Sequence, residues 1–350
     1  MSNPRIAILA LGGTIATRPD ASGVMQMGAG ADDLVRAVPC LAELADIEAE
    51  TVLRVGSHSL SFDQIHALAA RIATVKAEGV IVTQGTDTLE ETSFLLDLLV
   101  ERDIPVIVTA AMRNPALTSA DGPGNLLAAV RVACDPWIRA HARALGVLVV
   151  MLDEVYAAAD VIKTHPTRLN AFAAPQTGPI AALPEDRVLP LGLPVRDAVE
   201  HTREKLGGIG GQIGSKFGSK IGSSAQPVAL LWMGLDEPGH LIEALLGAPD
   251  HLGYRGVVLG AMGGGHLPER LAALAPRLAA AMPTVVSSRA GGGAMLRHTY
   301  GGPTSEISLR EAGLIWGGRL HPLKARVLVE TCLRAGLDRA AISGVFNAWG

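Results

Sequence analysis

Aromatic side chains are scarce: four Trp, three Tyr and five Phe make up 3% of 350 residues. The hydrophobic fraction is nevertheless 49%, so the cores must be built from Ala, Val, Leu and Ile. Cysteine is scarcer still. Cys40, Cys134 and Cys332 are odd in number, far apart and without C-x-x-C spacing. That pattern excludes a disulfide framework and a cysteine zinc site, and it suits a reducing compartment. Charge of one sign is also missing. Thirty basic against thirty-four acidic residues give a net charge of −4, with no basic footprint for nucleic acid. No apolar run approaches the roughly 18 residues of a membrane span. The opening "MSNPRIAILALGGT" breaks its short apolar run at Gly-Gly and has neither the apolar core nor the cleavage site of a signal peptide. A cytoplasmic protein is expected, with no nucleic-acid or membrane partner.

The usual marks of cofactor and nucleophile chemistry are absent too. "LALGGTIA" is not G-x-G-x-x-G, and neither a P-loop, an H-E-x-x-H nor a G-x-S-x-G occurs. His165, His298 and His321 are scattered singly, so no metal and no cofactor are expected.

What is present is a repeated alternation of apolar runs and helical stretches. The runs Ile6–Leu11, Thr51–Val55, Gly79–Thr83, Pro105–Ala110 and Gly146–Leu152 lack polar alternation, and helix-like segments such as 62–77 and 89–101 separate them. Such runs predict parallel strands covered on both faces. The alternation restarts with runs at 227–233, 256–262 and 283–288, between helical patterns at 268–281 and 322–335. The predicted fold class is α/β: a larger N-terminal doubly wound parallel-sheet domain (1–200) and a smaller C-terminal α/β domain (227–350). Between them, residues 201–226 form a Gly/Ser-rich linker in which Ile209, Ile213, Phe217 and Ile221 are each followed by Gly. A helix with one apolar stripe is the competing reading, but each interior Gly costs about 1 kcal/mol. A flexible segment is the better expectation.

Polar residues follow each strand of the first half. They read "GGTIAT" (12–17), "GSHS" (56–59), "QGTDT" (84–88), "AMRN" (111–114) and "DVIKTHPT" (160–167). In an open parallel sheet these loops share the carboxyl edge, where ligands bind. Thr88 with Glu91 reads as a capping box for the following helix, and Gln84 and Gly85 shape the turn. Thr86 and Asp87 are thereby left at a positive helix end that favours developing negative charge. The abundant reactive atoms are Thr hydroxyls, with Lys163 and Asp87 as activators. A Thr hydroxyl attacks only when a base takes its proton, and a lysine oriented by a carboxylate can be that base. Acyl transfer by an activated Thr is the chemistry these parts support.

"ALGGTIAT", "VTQGTDTLEET", "VTAAMRN…TSADGPGNLLAAV" and "DVIKTHPT" resemble the bacterial-type L-asparaginases and glutaminase-asparaginases. The resemblance runs from about 5 to 177 and returns more loosely over 256–329. It implies Thr14 as primary nucleophile, Thr86 and Asp87 as second catalytic Thr and neighbouring acid, and Lys163 as the lysine completing a Thr–Lys–Asp set. It also implies Ser57, beside His58, as substrate-binding, with Asp87 and Ser57 holding the α-amino and α-carboxylate groups of an amino-acid amide. The implied assembly is a homodimer or homotetramer with sites at the dimer interface.

Three departures concern substrate reading. Met25 stands where the family carries a loop Tyr, about Gly264 where a partner subunit lends an Asn, and only Tyr300 or Glu306 lie where a Glu contacts the substrate amine. The expected activity is hydrolysis of L-asparagine to L-aspartate and ammonia. A preference for glutamine or another ω-amide is one alternative, and a non-catalytic amino-acid-binding protein on the same fold is the other.

Overall fold

The computed structural model describes residues 3–19, 22, 25–207 and 225–350. They divide into two compact units at Arg196/Asp197, and the helix Asp197–Lys205 packs in the second unit against the helix Arg339–Asn347. The Gly-repeat 209–224 lies outside the described residues.

Among the described residues, twelve strands occur in the first unit. They are β1 (Arg5–Ala10), β2 (Thr17–Pro19), β3 (Met25–Met27), β4 (Asp46–Thr51), β5 (Gly79–Thr83), β6 (Val106–Thr109), β7 (Val147–Met151), β8 (Glu154–Ala157), β9 (Ile162–Lys163), β10 (Phe172–Ala173), β11 (Ala181–Ala182) and β12 (Leu189–Pro190). The main sheet has the order β12-β11-β8-β7-β6-β5-β1-β4. Its stretch from β4 to β7 is parallel, as the unbroken apolar runs predict. On one face Ile6, Ile8, Ile81, Ile107 and Leu148 meet Leu126, Ala129 and Ala133 of the helix Gly122–Cys134. Their neighbours Ala7, Leu9, Val80, Val82 and Val108, pointing the other way, are buried as well. Both faces are therefore covered, and helices account for the covering.

Two expectations need correction. The second strand is Asp46–Thr51, not Thr51–Val55. As an edge strand it keeps a solvent face, so its acidic residues alternate with half-buried Ile47 and Ala49, and a search for unbroken apolar runs passes over it. The sheet is also not parallel throughout, because β8, β11 and β12 run antiparallel at one end. The β7–β8 reversal is a tight hairpin whose two turn residues, Leu152 and Asp153, take φ of 49° and 59°.

The second unit holds a four-stranded parallel sheet, β13 (Val228–Trp232), β14 (Gly256–Ala261), β15 (Thr284–Ser288) and β16 (Ile315–Trp316), in that order. The helix Pro322–Arg334 packs on its first three strands.

Within the first unit, β1 is flanked by β4 on one side and β5 on the other, so the chain reverses its winding direction between β1 and β5. A topological switch point of this kind opens a crevice at the carboxyl ends of the two strands. The loops that fill it are 11–17 and 84–88.

Candidate active site

The loop after β1 enters the crevice through Gly12 and Gly13, both at positive φ (109° and 86°), a conformation that favours glycine. A side chain on Gly13 would lie 2.1 Å from the Gly85 backbone nitrogen, so the two loops cross in backbone contact. Thr14 then opens a short 3₁₀ turn, Thr14–Ala16, and the Thr17 hydroxyl donates to the Thr14 carbonyl at 2.8 Å. Ile15 and Ala16 anchor the turn in the core, while Thr14 is half-buried. This turn continues into a hairpin, β2 with β3, in which Met25 is paired with Pro19. The Met25 side chain is outside the described residues.

On the other side of the crevice, β5 ends at buried Thr83 and is followed by buried Gln84. Lys163 Nζ donates to Thr86 Oγ1 at 2.9 Å and to Asp87 Oδ1 at 3.0 Å. Thr86 and the Lys163 side chain are largely shielded from solvent, whereas the Asp87 side chain is 57% exposed. The ammonium is thus tied to a hydroxyl on its inner side and to a carboxylate that reaches toward solvent. Ser57, in a 3₁₀ turn over Ser57–Ser59, joins the same loop: its Oγ accepts the Asp87 N–H at 3.1 Å. His58 Nδ1 lies 3.7 Å from the second Asp87 oxygen, Oδ2.

Thr88 does not cap the helix Leu89–Leu99 with its side chain, contrary to the capping-box expectation. Its hydroxyl donates instead to the Ser57 carbonyl at 2.9 Å. That bond orients the hydroxyl toward the loop after β4, a tertiary contact that the local capping pattern does not encode. The consequence is functional: Thr88 and Asp87 together staple Ser57 to the Thr86 loop.

The structure therefore gathers Ser57, Thr86, Asp87 and Lys163 into one hydrogen-bonded group with His58 at its edge, 3.7 Å from Asp87, and it brings the Thr14 loop against that group through Gly13 and Gly85. Sequence reasoning missed three supporting polar residues. Asp121 accepts the N–H groups of Met112 and Arg113 at 2.9 and 2.8 Å, which fixes the loop after β6. Asn125 bridges the Ala110 carbonyl and the Leu152 N–H. Glu90, buried on the helix behind Asp87, accepts the Lys163 backbone N–H at 3.3 Å. The visible signal for the first two was the D-x-x-x-N spacing in "ADGPGN". Glu90 looked like an ordinary first-turn helix acid.

In the second unit, Gly264 lies in the turn bridged by Met262 and His266. Glu306 is wholly buried, and its Oε1 accepts the N–H groups of Thr299 and Tyr300 at 2.6 and 2.7 Å. Burial alone would raise this carboxyl, but those amides hold it below its ordinary value. Tyr300 is exposed and its ring meets that of His266 edge-on. Among the described residues no cluster of His, Cys, Asp or Glu is placed to hold a metal ion, and no helix is long and apolar enough to cross a membrane.

The sequence profile of the family described as "Asparaginase, N-terminal" matches residues 5–191, and that of the "Glutaminase/Asparaginase C-terminal domain" matches 228–346. The chain is 33% identical to L-asparaginase 2 of Escherichia coli (strain K12), over 99% of its own length and 93% of that protein's. It is also 33% identical to the probable periplasmic L-asparaginase of Haemophilus influenzae, over 98% and 93% of the two chains. The crystal structure of a probable cytoplasmic L-asparaginase from Campylobacter jejuni superposes with a TM-score of 0.82 at 28% identity, covering 99% of both chains.

Proposed function

The chain belongs to the asparaginase family, and from that premise we propose that it hydrolyses L-asparagine to L-aspartate and ammonia through Thr14, with Thr86, Lys163 and Asp87 moving the proton. The observation that carries this reading is the Lys163 ammonium held at 2.9 Å from the Thr86 hydroxyl and 3.0 Å from the Asp87 carboxylate. A lysine so placed exchanges a proton with one hydroxyl while a fixed carboxylate balances its charge.

In the first half-reaction Thr14 Oγ attacks the side-chain amide carbon, the former carbonyl oxygen becomes an oxyanion, and the proton of Thr14 passes to the departing nitrogen. Ammonia leaves and an aspartyl ester on Thr14 remains. A water, deprotonated through Thr86 and Lys163, then attacks the ester and restores the Thr14 hydroxyl. The N–H groups at the crossing of loops 11–17 and 84–88 are the candidate oxyanion donors. Ser57, His58 and the exposed face of Asp87 line the solvent side, where the charged α-groups of the substrate are read.

Assembly as a homodimer or homotetramer, with the site completed at the dimer interface, belongs to the same reading and rests on the family resemblance. Light scattering coupled to gel filtration tests it. Cytoplasmic residence belongs to it too, supported by three free cysteines.

The experiment is ammonia release from L-asparagine and L-glutamine by the wild type and by Thr14→Ala. Release from L-asparagine that is lost in the variant supports the proposal. Release that survives Thr14→Ala excludes Thr14 as nucleophile. Binding of L-asparagine without release from either amide leaves the non-catalytic reading standing, and faster release from L-glutamine makes the chain a glutaminase.

A further inference from the structure

Lys163 stands on a strand of only two residues. β9 is no part of the eight-stranded sheet and, among the described residues, pairs with β10 alone, Lys163 opposite Phe172. A two-residue hairpin is marginal by itself, yet it must deliver a long, flexible side chain to within 3 Å of two partners. Two buried side chains hold it from outside. On the β9 side, the Glu90 carboxylate accepts the backbone N–H of Lys163 at 3.3 Å. On the β10 side, the Tyr156 hydroxyl shares its one proton between the Glu154 carboxylate and the Phe172 carbonyl, which lies 3.2 Å away. Burial, reinforced by the Glu154 carboxylate, keeps that phenol protonated well above its ordinary range, so it remains a donor.

Glu90 is one turn beyond Asp87, on the helix whose leading loop carries Thr86 and Asp87. Its single bond to Lys163 therefore ties the lysine's main chain to the element that presents both of the lysine's side-chain partners. We propose that Glu90 is a positioning residue for Lys163, with Tyr156 anchoring the opposite strand, so that the pair sets the Nζ–Thr86 geometry on which turnover depends. This rests on the role given above to Lys163. Neither residue touches the reacting atoms. Misplacement of a catalytic group by about 1 Å is enough to cost on the order of 100-fold in rate.

The test compares Glu90→Ala, Glu90→Gln and Tyr156→Phe with the wild type, by kcat, KM and crystal structure. Gln keeps an oxygen that accepts the Lys163 N–H, whereas Ala keeps none. The expected result is a fall in kcat of about tenfold or more for Glu90→Ala with KM within about threefold, and recovery to within about threefold of wild-type kcat for Glu90→Gln. Tyr156→Phe should lower kcat in the same sense and serves if Glu90→Ala does not fold. In the crystals, Nζ should leave hydrogen-bond distance of Thr86 in Glu90→Ala and keep it in Glu90→Gln. Equal losses in the Ala and Gln variants, or a Lys163–Thr86 bond retained in both Glu90→Ala and Tyr156→Phe, would overturn the inference. A wild type without activity on either amide would count against the proposed function, and the crystallographic distances would still decide the positioning claim.

Discussion

Gly13 and Gly85 touch main chain to main chain: a Cβ on Gly13 would lie 2.1 Å from the Gly85 nitrogen and 2.4 Å from its Cα. That approach sets the distance between the Thr14 loop and the Thr86 loop, so it is a constraint on catalysis as much as on folding. Gly13→Ala faces two penalties, a positive φ of about 1–2 kcal/mol and a backbone overlap that no rotamer relieves. We expect kcat/KM to drop by at least about 100-fold with a lower melting temperature. Gly85→Ala should be milder, because its closest contact is the Ser57 hydroxyl at 2.6 Å, which can turn away, while the Ser57 Cβ and backbone nitrogen at 3.1 and 3.2 Å need a shift of only a few tenths of an ångström. Its loss should appear mainly in KM. Steady-state kinetics of the two variants side by side check the contrast.

Thr88→Val removes one hydroxyl while preserving shape. The lost bond to the Ser57 carbonyl is 2.9 Å long and part-buried, worth about 0.5–1.5 kcal/mol. On the substrate-binding role proposed for Ser57, KM for the amide should rise several-fold while kcat changes less. A variant that loses thermal stability with unchanged KM would show Thr88 to be only a fold contact.

The contrast between Thr88 and Lys163 shows what was legible beforehand. β5 and the turn after it, with Thr86 and Asp87, were readable because an unbroken apolar run ended in a polar cluster, whereas Lys163 follows the antiparallel β8 on a separate two-stranded sheet and was legible through the motif "DVIKTHPT". Thr88 was misread because a hydroxyl three residues before a Glu satisfies the local capping pattern, and local sequence carries no sign of a carbonyl 31 residues away. Glu90 and Tyr156 were invisible for the same reason. Their partners lie 73 and 16 residues along the chain, on strands too short to leave a periodic signal.

Asp97 and Arg196 form a buried ion pair, both Asp97 oxygens being 3.0 Å from Arg196 Nη1, and Asp97 also accepts the Val147 N–H at 2.9 Å. Asp97→Ala leaves a guanidinium and an amide buried without the carboxylate, a loss of about 3–5 kcal/mol. Thermal unfolding should shift down by roughly 10 °C. The double variant Asp97→Leu with Arg196→Met should regain a large part of that shift, since removing both charges leaves no uncompensated ion. If the double variant is no more stable than Asp97→Ala, the pair's contribution lies in packing and not in charge.

His321 gives the second unit a pH dependence with a fixed sign. Its Nδ1 is buried without a hydrogen-bond partner among the described residues, and its ring stands 5.8 Å from that of Trp232. Burial, with the Lys324 charge adding to it, draws the imidazole down to about 4. In the unfolded chain the same group titrates near 6.5. Between those values the unfolded state binds the proton and the folded state does not, so stability rises with pH across the window. The contribution is complete above about pH 6.5 and is lost as pH falls toward 4, up to about 3 kcal/mol. Urea unfolding followed by Trp fluorescence at pH 7.5 and 5 should show the decline, and His321→Gln, which cannot take the proton, should flatten it. A slope unchanged in His321→Gln would assign the acid sensitivity to other groups.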